Sequence, residues 1–162
     1  MEQKIVPNLW FDTEAEEAAE YYCSIFEDSK IISKTNYSKS TDRAGQVVTV
    51  EWELNGQRFV GINAGPQFTF DEAISFAITC ADQDEVDYYW EKLTADGGEE
   101  GMCGWLKDRY GVSWQVVPEG MEELFRDDDP ERADRAMQAM MKQKKLDLAE
   151  VQRAADGGET PA

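Results

Sequence analysis

The chemical feature that most limits what this chain can do is the absence of histidine from its 162 residues. A serine or cysteine nucleophile with a histidine base is therefore excluded, and so is a metal site built on imidazole. Three cysteines, Cys23, Cys80 and Cys103, are too few and too scattered for a disulfide framework or a structural zinc site. Cys103 lies between glycines, where the backbone can approach a ligand, although a buried inert thiol is the simpler interpretation.

Carboxylates are the other groups available for acid or base chemistry. Proton transfer needs partly buried carboxyl groups with a raised pKa. Glu51 and Glu53, on the more polar side of a central predicted strand, are the best candidates. A solvated strand face explains the same pair more simply.

The charge balance of the chain is strongly acidic, with 34 acidic residues against 16 basic ones and a net charge of -18. Such a surface repels phosphates and anionic lipid head groups, so we expect neither a nucleic acid nor a membrane partner. A halophilic source is one explanation of the acidity. The sequence contains neither a long apolar run nor a signal peptide, and we expect a cytoplasmic protein with reduced thiols.

Strand and helix patterns occur in the same order twice along the chain. The first set is a strand over 5–11, a helix from a capping box at Thr13 and Glu16 to about Phe26, and strands over 30–37, 46–54 and 57–63. Asn55-Gly56 predicts a type I′ turn between the last two strands. The second set is a strand over 73–80, a helix beginning at Asp82 and Glu85, and a hairpin of 104–107 with 112–117.

The two halves overlay with an offset of 67 residues (89 minus 22), which matches Tyr22 with Tyr89 and Val50 with Val117. Beyond Pro118 the pattern becomes helical, with a helix at Asp129-Pro130 and a short last helix at 147–150. An apolar stripe on the first of these helices comprises Ala133, Met137, Met140 and Met141. We predict one domain over 1–155, with modules at about 4–63 and 73–118, helices over 119–155 and a flexible tail over 156–162.

Alternation along the strands separates two faces of the predicted sheets. One face is large and apolar, suited to packing under helices, and comprises Val6, Trp10, Val60, Ile62, Phe76, Ile78, Trp114 and Val116. The opposite face is smaller and mixed, and comprises Pro7, Leu9, Phe59, Gly61, Asn63, Ser75, Ala77, Thr79, Ser113, Gln115 and Val117. A concave apolar surface with sparse polar groups is typical of small-molecule sites. The alternative is a filled core of small residues with buried hydrogen bonds.

Several stretches of the chain resemble one known group of proteins. The run from Cys103 to Pro118, CGWLKDRYGVSWQVVP, resembles the signature of the PhnB-like group, and so do 63–66, 73–79 and 137–148. This group bears the label 3-demethylubiquinone-9 3-methyltransferase and belongs to the vicinal oxygen chelate superfamily, with glyoxalase I and the bleomycin-resistance proteins. The resemblance, which runs from about Lys4 to Ala155, implies an α+β fold. It also implies that two βαβββ modules form curved mixed sheets around a cleft, that extra C-terminal helices follow, and that the protein forms a homodimer.

Metal-dependent members of the superfamily carry His, Glu or Gln ligands on the first and last strands of each module. By resemblance the corresponding positions here are Pro7, Gly61, Ser75 and Gln115. Only Gln115 is a ligand of that kind, and a register shift of one residue adds no more than a neutral asparagine, Asn8 or Asn63. We therefore expect neither a metal nor another cofactor.

The leading hypothesis is a metal-free module that binds a small, largely apolar molecule. Asn63, Ser75, Trp105 and Gln115 would orient the ligand, with Cys103 beside them. One alternative is a metal-assisted lyase or dioxygenase-like enzyme, and another is a dimer that serves as an interaction platform. Methyl transfer has no support, because the glycine-rich stretch 97–104 follows a helix and enters a strand, the reverse of a nucleotide-binding loop.

Overall fold

Two helix-covered sheets form the two compact units of the chain. The computed structural model describes residues 2–158, and the units divide between Phe70 and Asp71. Each unit contains a strand, a helix and three strands in that order, so the predicted α+β pair of βαβββ modules is confirmed. That residues 1–155 form one domain stays a prediction.

The bounds of the elements agree with the sequence expectations to within a few residues. The first unit contains β1 (Asn8–Phe11), α1 (Ala15–Ile25), β2 (Ser29–Asn36), β3 (Val47–Leu54) and β4 (Gln57–Asn63). The second contains β5 (Ser75–Cys80), α2 (Gln83–Thr94), β6 (Glu99–Glu100), β7 (Trp105–Lys107), β8 (Ser113–Pro118), α3 (Met121–Phe125), α4 (Pro130–Met140) and α5 (Leu148–Ala155). The sequence patterns had not indicated β6 or α3.

Both sheets have the same strand order, β1-β4-β3-β2 in the first unit and β5-β8-β7-β6 in the second. The first strand of each module, β1 or β5, runs parallel to the last strand of that module, β4 or β8. The other neighbouring strands are antiparallel. Because β8 takes the place of β4 and not of β3, the overlay of Val50 on Val117 is wrong. The offset of 67 fits the first strands (75 minus 8) and falls to 53 at the last (113 minus 60).

The turn between β3 and β4 has the predicted type I′ form. Asn55 and Gly56 have φ angles of 46° and 83°, and both central residues of this turn need positive values. The turn fixes the register in which Trp52 lies opposite Phe59 and Val50 opposite Gly61.

The helix-covered face of the first sheet is the opposite of the one predicted. Phe59, Gly61 and Asn63 are buried on the side of α1, whereas Val60 and Ile62 are half-exposed on the other side. A Cβ atom at Gly61 would lie 2.9 Å from Cζ3 of Trp52 and 3.0 Å from Cβ of Ala15. The missing side chain therefore makes room for an indole ring beneath the helix, not for a ligand.

The first turn of α1 is held by a residue that is distant in sequence. Oδ1 of Asn63 accepts a hydrogen bond from the Ala15 N–H at 2.9 Å, and its Nδ2 donates to the Val47 carbonyl at 3.1 Å. The predicted capping box of Thr13 and Glu16 is wrong, since no local side chain caps this helix.

The second unit follows the predicted pattern more closely. Asp82 accepts a hydrogen bond from the Glu85 N–H at 2.9 Å, so the predicted start of α2 is confirmed, while Glu85 accepts one from the N–H of Ala81, the residue before the cap. Trp114 and Val116 of β8 are buried under α2, as expected. The other face of this sheet carries Ser75, Trp105 and Gln115.

The last three helices have an apolar core of their own, made by Met121, Leu124, Ala136, Ala139, Leu146, Val151, Ala154 and Ala155. Helix α4 begins at Asp129-Pro130, as predicted, and α5 at Asp147. Of the stripe on α4, Met140 packs against this core while Met137 and Met141 are exposed, and the fully buried residues of the helix are Ala136 and Ala139. Residues 159–162 of the predicted flexible tail lie outside the described residues. No helix within 2–158 has the length and apolar character that a bilayer crossing requires.

Candidate ligand-binding site

The hairpin of β7 and β8 positions the candidate site, and a buried carboxylate shapes it. Asp108 is 2% exposed, and its Oδ1 accepts hydrogen bonds from the N–H groups of Tyr110 at 2.9 Å and Val112 at 3.1 Å. Its Oδ2 accepts from Nε1 of Trp114 at 2.9 Å. Three donors from the turn and from β8 therefore converge on this one side chain, so Asp108 fixes both the turn and the register of the two strands.

This register brings three of the predicted site residues onto one face of the sheet. Trp105 on β7 and Ala77 on β5 are both direct neighbours of Gln115 on β8. Nε2 of Gln115 donates to Oγ of Ser75 at 2.9 Å. This hydrogen bond engages Nε2 of Gln115 and leaves the amide oxygen, Oε1, available to a ligand.

The loop before β7 is attached to the C-terminal segment. The N–H groups of Cys103 and Gly104 donate to the carbonyls of Gln143 and Lys144, both at 2.8 Å. Cys103 adopts a left-handed φ of 60°, which is uncommon for a residue with a side chain. A Cβ at Gly104 would lie 2.8 Å from Cδ1 of Leu146, so only glycine allows this close contact.

A pocket of about 350 Å³ lies between this part of the sheet and the C-terminal helices. Cys103, Trp105, Gln115 and Val117 form one side, and the other is formed by Met121, Glu122, Phe125, Arg126, Met140 and Leu146. Glu122 and Arg126 are exposed and form an ion pair at 3.2 Å. The volume and the mixture of apolar walls with few polar groups are typical of small-molecule sites.

Asn63 belongs to the first unit and is not among the residues that line this pocket. It is 8% exposed, and both ends of its amide are engaged, with the N-terminus of α1 and with β3. Its contacts are those of a structural residue, and its predicted ligand contact stays untested.

Glu51 and Glu53 are each paired with a cation. The guanidinium of Arg58 donates from Nε to Glu51 at 2.7 Å, and Lys30 lies 3.8 Å from Glu53. Both pairs are partly exposed and are typical of a solvated strand face.

The residues at the superfamily's metal positions do not fit a divalent cation. Pro7 and Gly61 have no donor side chain, while Ser75 and Gln115 are neutral and bonded to each other. The register of β1 puts Asn8 on the uncovered face in place of Pro7, which adds one neutral amide. Within residues 2–158, no three His, Cys, Asp or Glu side chains are grouped closely enough to hold a metal ion.

The three cysteines are free thiols in different surroundings. Burial raises the pKa of Cys80 to about 12, with smaller contributions from Glu85 and Asp82. Burial also raises the pKa of Cys23. Cys103 alone lines the pocket.

Half of the pocket wall was missed by the sequence predictions. Met121, Phe125 and Met140 are the main apolar side chains contributed by the helices. The spacing of Met121, Leu124 and Phe125 is helical and contains the signal for α3, but five residues are too few for periodicity alone to establish a helix.

Comparison with known proteins agrees with this architecture. The sequence pattern of the family described as 3-demethylubiquinone-9 3-methyltransferase matches residues 3–117. The match ends at Val117, so it does not reach the helices of 119–155, where the sequence resemblance had been expected to continue. No curated protein matched the chain.

Solved structures share the fold. The PhnB protein from Bacillus cereus is 36% identical with a TM-score of 0.65, and the match covers 72% of this chain and 99% of that one. Protein PA1353 from Pseudomonas aeruginosa is 18% identical, with coverage of 73% and 98% and a TM-score of 0.61. The fosfomycin resistance protein FosX from Mesorhizobium loti is 12% identical, with coverage of 78% and 99% and a TM-score of 0.56.

The similarity to the latter two structures extends only to the glyoxalase/bleomycin-resistance fold. The family pattern and the Bacillus cereus protein also match this chain in amino-acid sequence. The chain therefore belongs to the 3-demethylubiquinone-9 3-methyltransferase family, the PhnB-like group of the vicinal oxygen chelate superfamily.

Proposed function

We propose that the protein is a metal-free binding module for a small, largely apolar molecule, held in the pocket of the second unit. One observation carries the proposal. Cys103, Trp105 and Gln115, singled out from the sequence, line a single pocket of about 350 Å³, and Ser75 is hydrogen-bonded to Gln115.

The walls favour an apolar ligand with one polar group. Trp105 and Phe125 offer aromatic surface, and the thioethers of Met121 and Met140 adapt to irregular shapes. Burial of an apolar ligand supplies most of the affinity, while the free amide oxygen of Gln115 accepts a hydrogen bond and so selects a donor such as a hydroxyl group.

The family's name implies a methyl donor, and the glycine-rich stretch does not fit one. A Cβ at Gly98 would lie 2.6 Å from the Leu93 carbonyl oxygen, and one at Gly101 would lie 2.7 Å from the Trp105 oxygen. These glycines serve close backbone packing at the end of α2 and the start of β7. Both sheets are mixed, unlike the parallel sheet of a doubly wound nucleotide-binding fold.

Calorimetric titration with 1-naphthalenemethanol tests the proposal. We expect saturable binding at one site per chain in the wild-type protein. Gln115→Ala should weaken binding by about 2- to 10-fold, the usual contribution of one neutral hydrogen bond. The matched control is Gln138→Ala on α4, whose side chain bonds only to Asp134 outside the pocket, and it should leave the affinity unchanged.

Two results would overturn the proposal. The first is the absence of binding by this probe and by a thermal-shift library of small apolar molecules. The second is one bound divalent ion per purified chain that is lost in Gln115→Ala, which would favour the metal-assisted enzyme instead.

The proposal includes the expected setting of the protein. Free thiols at all three cysteines suit the cytoplasm, where thiols remain reduced. The net charge of -18 disfavours nucleic acids and anionic membranes as partners. A homodimer, and a salt-rich source for this acidity, are also part of the proposal, and sedimentation at low and high salt tests the dimer.

A further inference from the structure

A second, smaller cavity of the second unit shares Trp105 with the larger pocket. Its volume is about 160 Å³, and it is lined by Glu72, Glu99, Glu100, Gly101, Trp105, Leu106, Lys107 and Ser113. Because Trp105 also lines the larger pocket, its indole ring is a wall shared by an apolar cavity and a polar one.

The polar cavity contains a buried hydroxyl with no partner. Ser113 is 1% exposed, and its Oγ makes no hydrogen bond to any group within residues 2–158. Buried polar side chains are nearly always hydrogen-bonded, because leaving one unpaired loses the hydration it had in water. An unpaired hydroxyl in a cavity wall is therefore a group that a ligand can satisfy.

The charges around this cavity are predominantly negative. Lys107 forms an ion pair with Glu72, and the hydrogen bond between them raises the pKa of Lys107, with further contributions from the charges of Glu99 and Asp71. Glu100 accepts a hydrogen bond from Nε1 of Trp90 at 2.8 Å, and its carboxylate lies 4.0 Å from Nζ of Lys144.

Glu99 is left as the uncompensated charge. It lies directly opposite Lys107 in the register of β6 and β7, yet it forms no ion pair with any cation of the described chain. An anionic head group would meet this carboxylate without a free cation to offset it, whereas an ammonium group would gain a partner.

We propose that the two cavities hold the two ends of one amphiphilic amine, with its apolar body in the larger pocket and its protonated amino group between Ser113 and Glu99. This proposal rests on the proposed function, since the larger pocket must bind the body. Trp105 lies along the ligand between its two ends, and the ammonium group donates to Oγ of Ser113 and to the Glu99 carboxylate.

Three probes of one shape test the inference by calorimetry at low ionic strength, where charge interactions are least screened. They are 3-(1-naphthyl)propylamine, 3-(1-naphthyl)propan-1-ol and 3-(1-naphthyl)propanoate, whose chains let the polar end reach past Trp105 while the naphthyl ring stays in the larger pocket. We expect the amine to bind about tenfold more tightly than the alcohol, and the carboxylate to bind most weakly. Glu99→Gln should remove most of the amine's advantage and change the affinity for the alcohol less than twofold.

The matched control is Glu91→Gln on α2, which removes the same charge from an exposed residue outside both cavities and should preserve the amine's advantage. Ser113→Ala should weaken the amine several-fold and leave 1-methylnaphthalene unaffected.

The outcomes separate this inference from the proposed function. If the alcohol binds but the amine has no advantage, or if Glu99→Gln and Glu91→Gln have equal effects, the amine subsite is refuted and the apolar pocket stands. If no probe binds to the wild-type protein, both proposals are refuted.

Discussion

Replacing Asn63 by alanine separates a structural role from a ligand-binding one. The substitution removes the acceptor of the Ala15 N–H, in a buried region, and the donor to the Val47 carbonyl, in a partly buried one. Each buried group left unpaired costs about 1–3 kcal/mol, and loss of a helix cap costs about 1 kcal/mol. Because water reaches the widened site in part, we expect the free energy of unfolding to fall by about 2–4 kcal/mol.

Urea denaturation measures this loss, and amide hydrogen exchange at Ala15 locates it at the first turn of α1. Asn8→Ala is the control, since the exposed Asn8 side chain bonds only to the nearby Val6 carbonyl, and a change below about 0.5 kcal/mol is expected. The affinity for 1-naphthalenemethanol should remain within twofold. A loss of affinity with unchanged stability would refute this reasoning and restore Asn63 as a ligand contact.

Other predictions concern packing, thiol reactivity and pH. Gly61→Val should destabilise the protein by about 1–3 kcal/mol in urea denaturation, because the new side chain overlaps the Trp52 ring, and equal stability would contradict the packing described. Cys80, with a pKa of about 12, should resist iodoacetamide at pH 8 until the protein is unfolded, as mass spectrometry would show. The hydrogen bond from Lys145 lowers the pKa of Asp87, so its stabilising effect is present above the unfolded pKa and lost as pH falls through the folded one. Asp87→Asn should therefore reduce stability at pH 6 but converge with the wild type in acid, and a constant difference would argue against the pair.

The sequence predicted the elements better than the faces of the first sheet. The turn at Asn55-Gly56 and the cap at Asp82 depend on neighbouring residues, so local patterns were sufficient. Gly61 and Asn63 resembled the lining of a cavity because one is small and the other polar. Their roles depend instead on Trp52 and on Ala15, which lies 48 residues from Asn63 in the chain.

Only the side of the candidate site that lies on the sheet could be predicted, for a similar reason. Trp105 and Gln115 lie on a regular hairpin, where alternation places side chains reliably. The other wall depends on how the last helices dock against the sheet. On α4, Met140 of the stripe lines the pocket, Met137 and Met141 are exposed, and small alanines are buried where the helices pack closely.

The attachment of the loop at Cys103 and Gly104 to the carbonyls of Gln143 and Lys144 makes the pocket a joint product of two chain segments. One belongs to the part that the family shares, and the other follows it. Exchanging residues 119–155 between relatives, while keeping glycine at position 104, would thus offer a route to new ligand preferences on an unaltered scaffold.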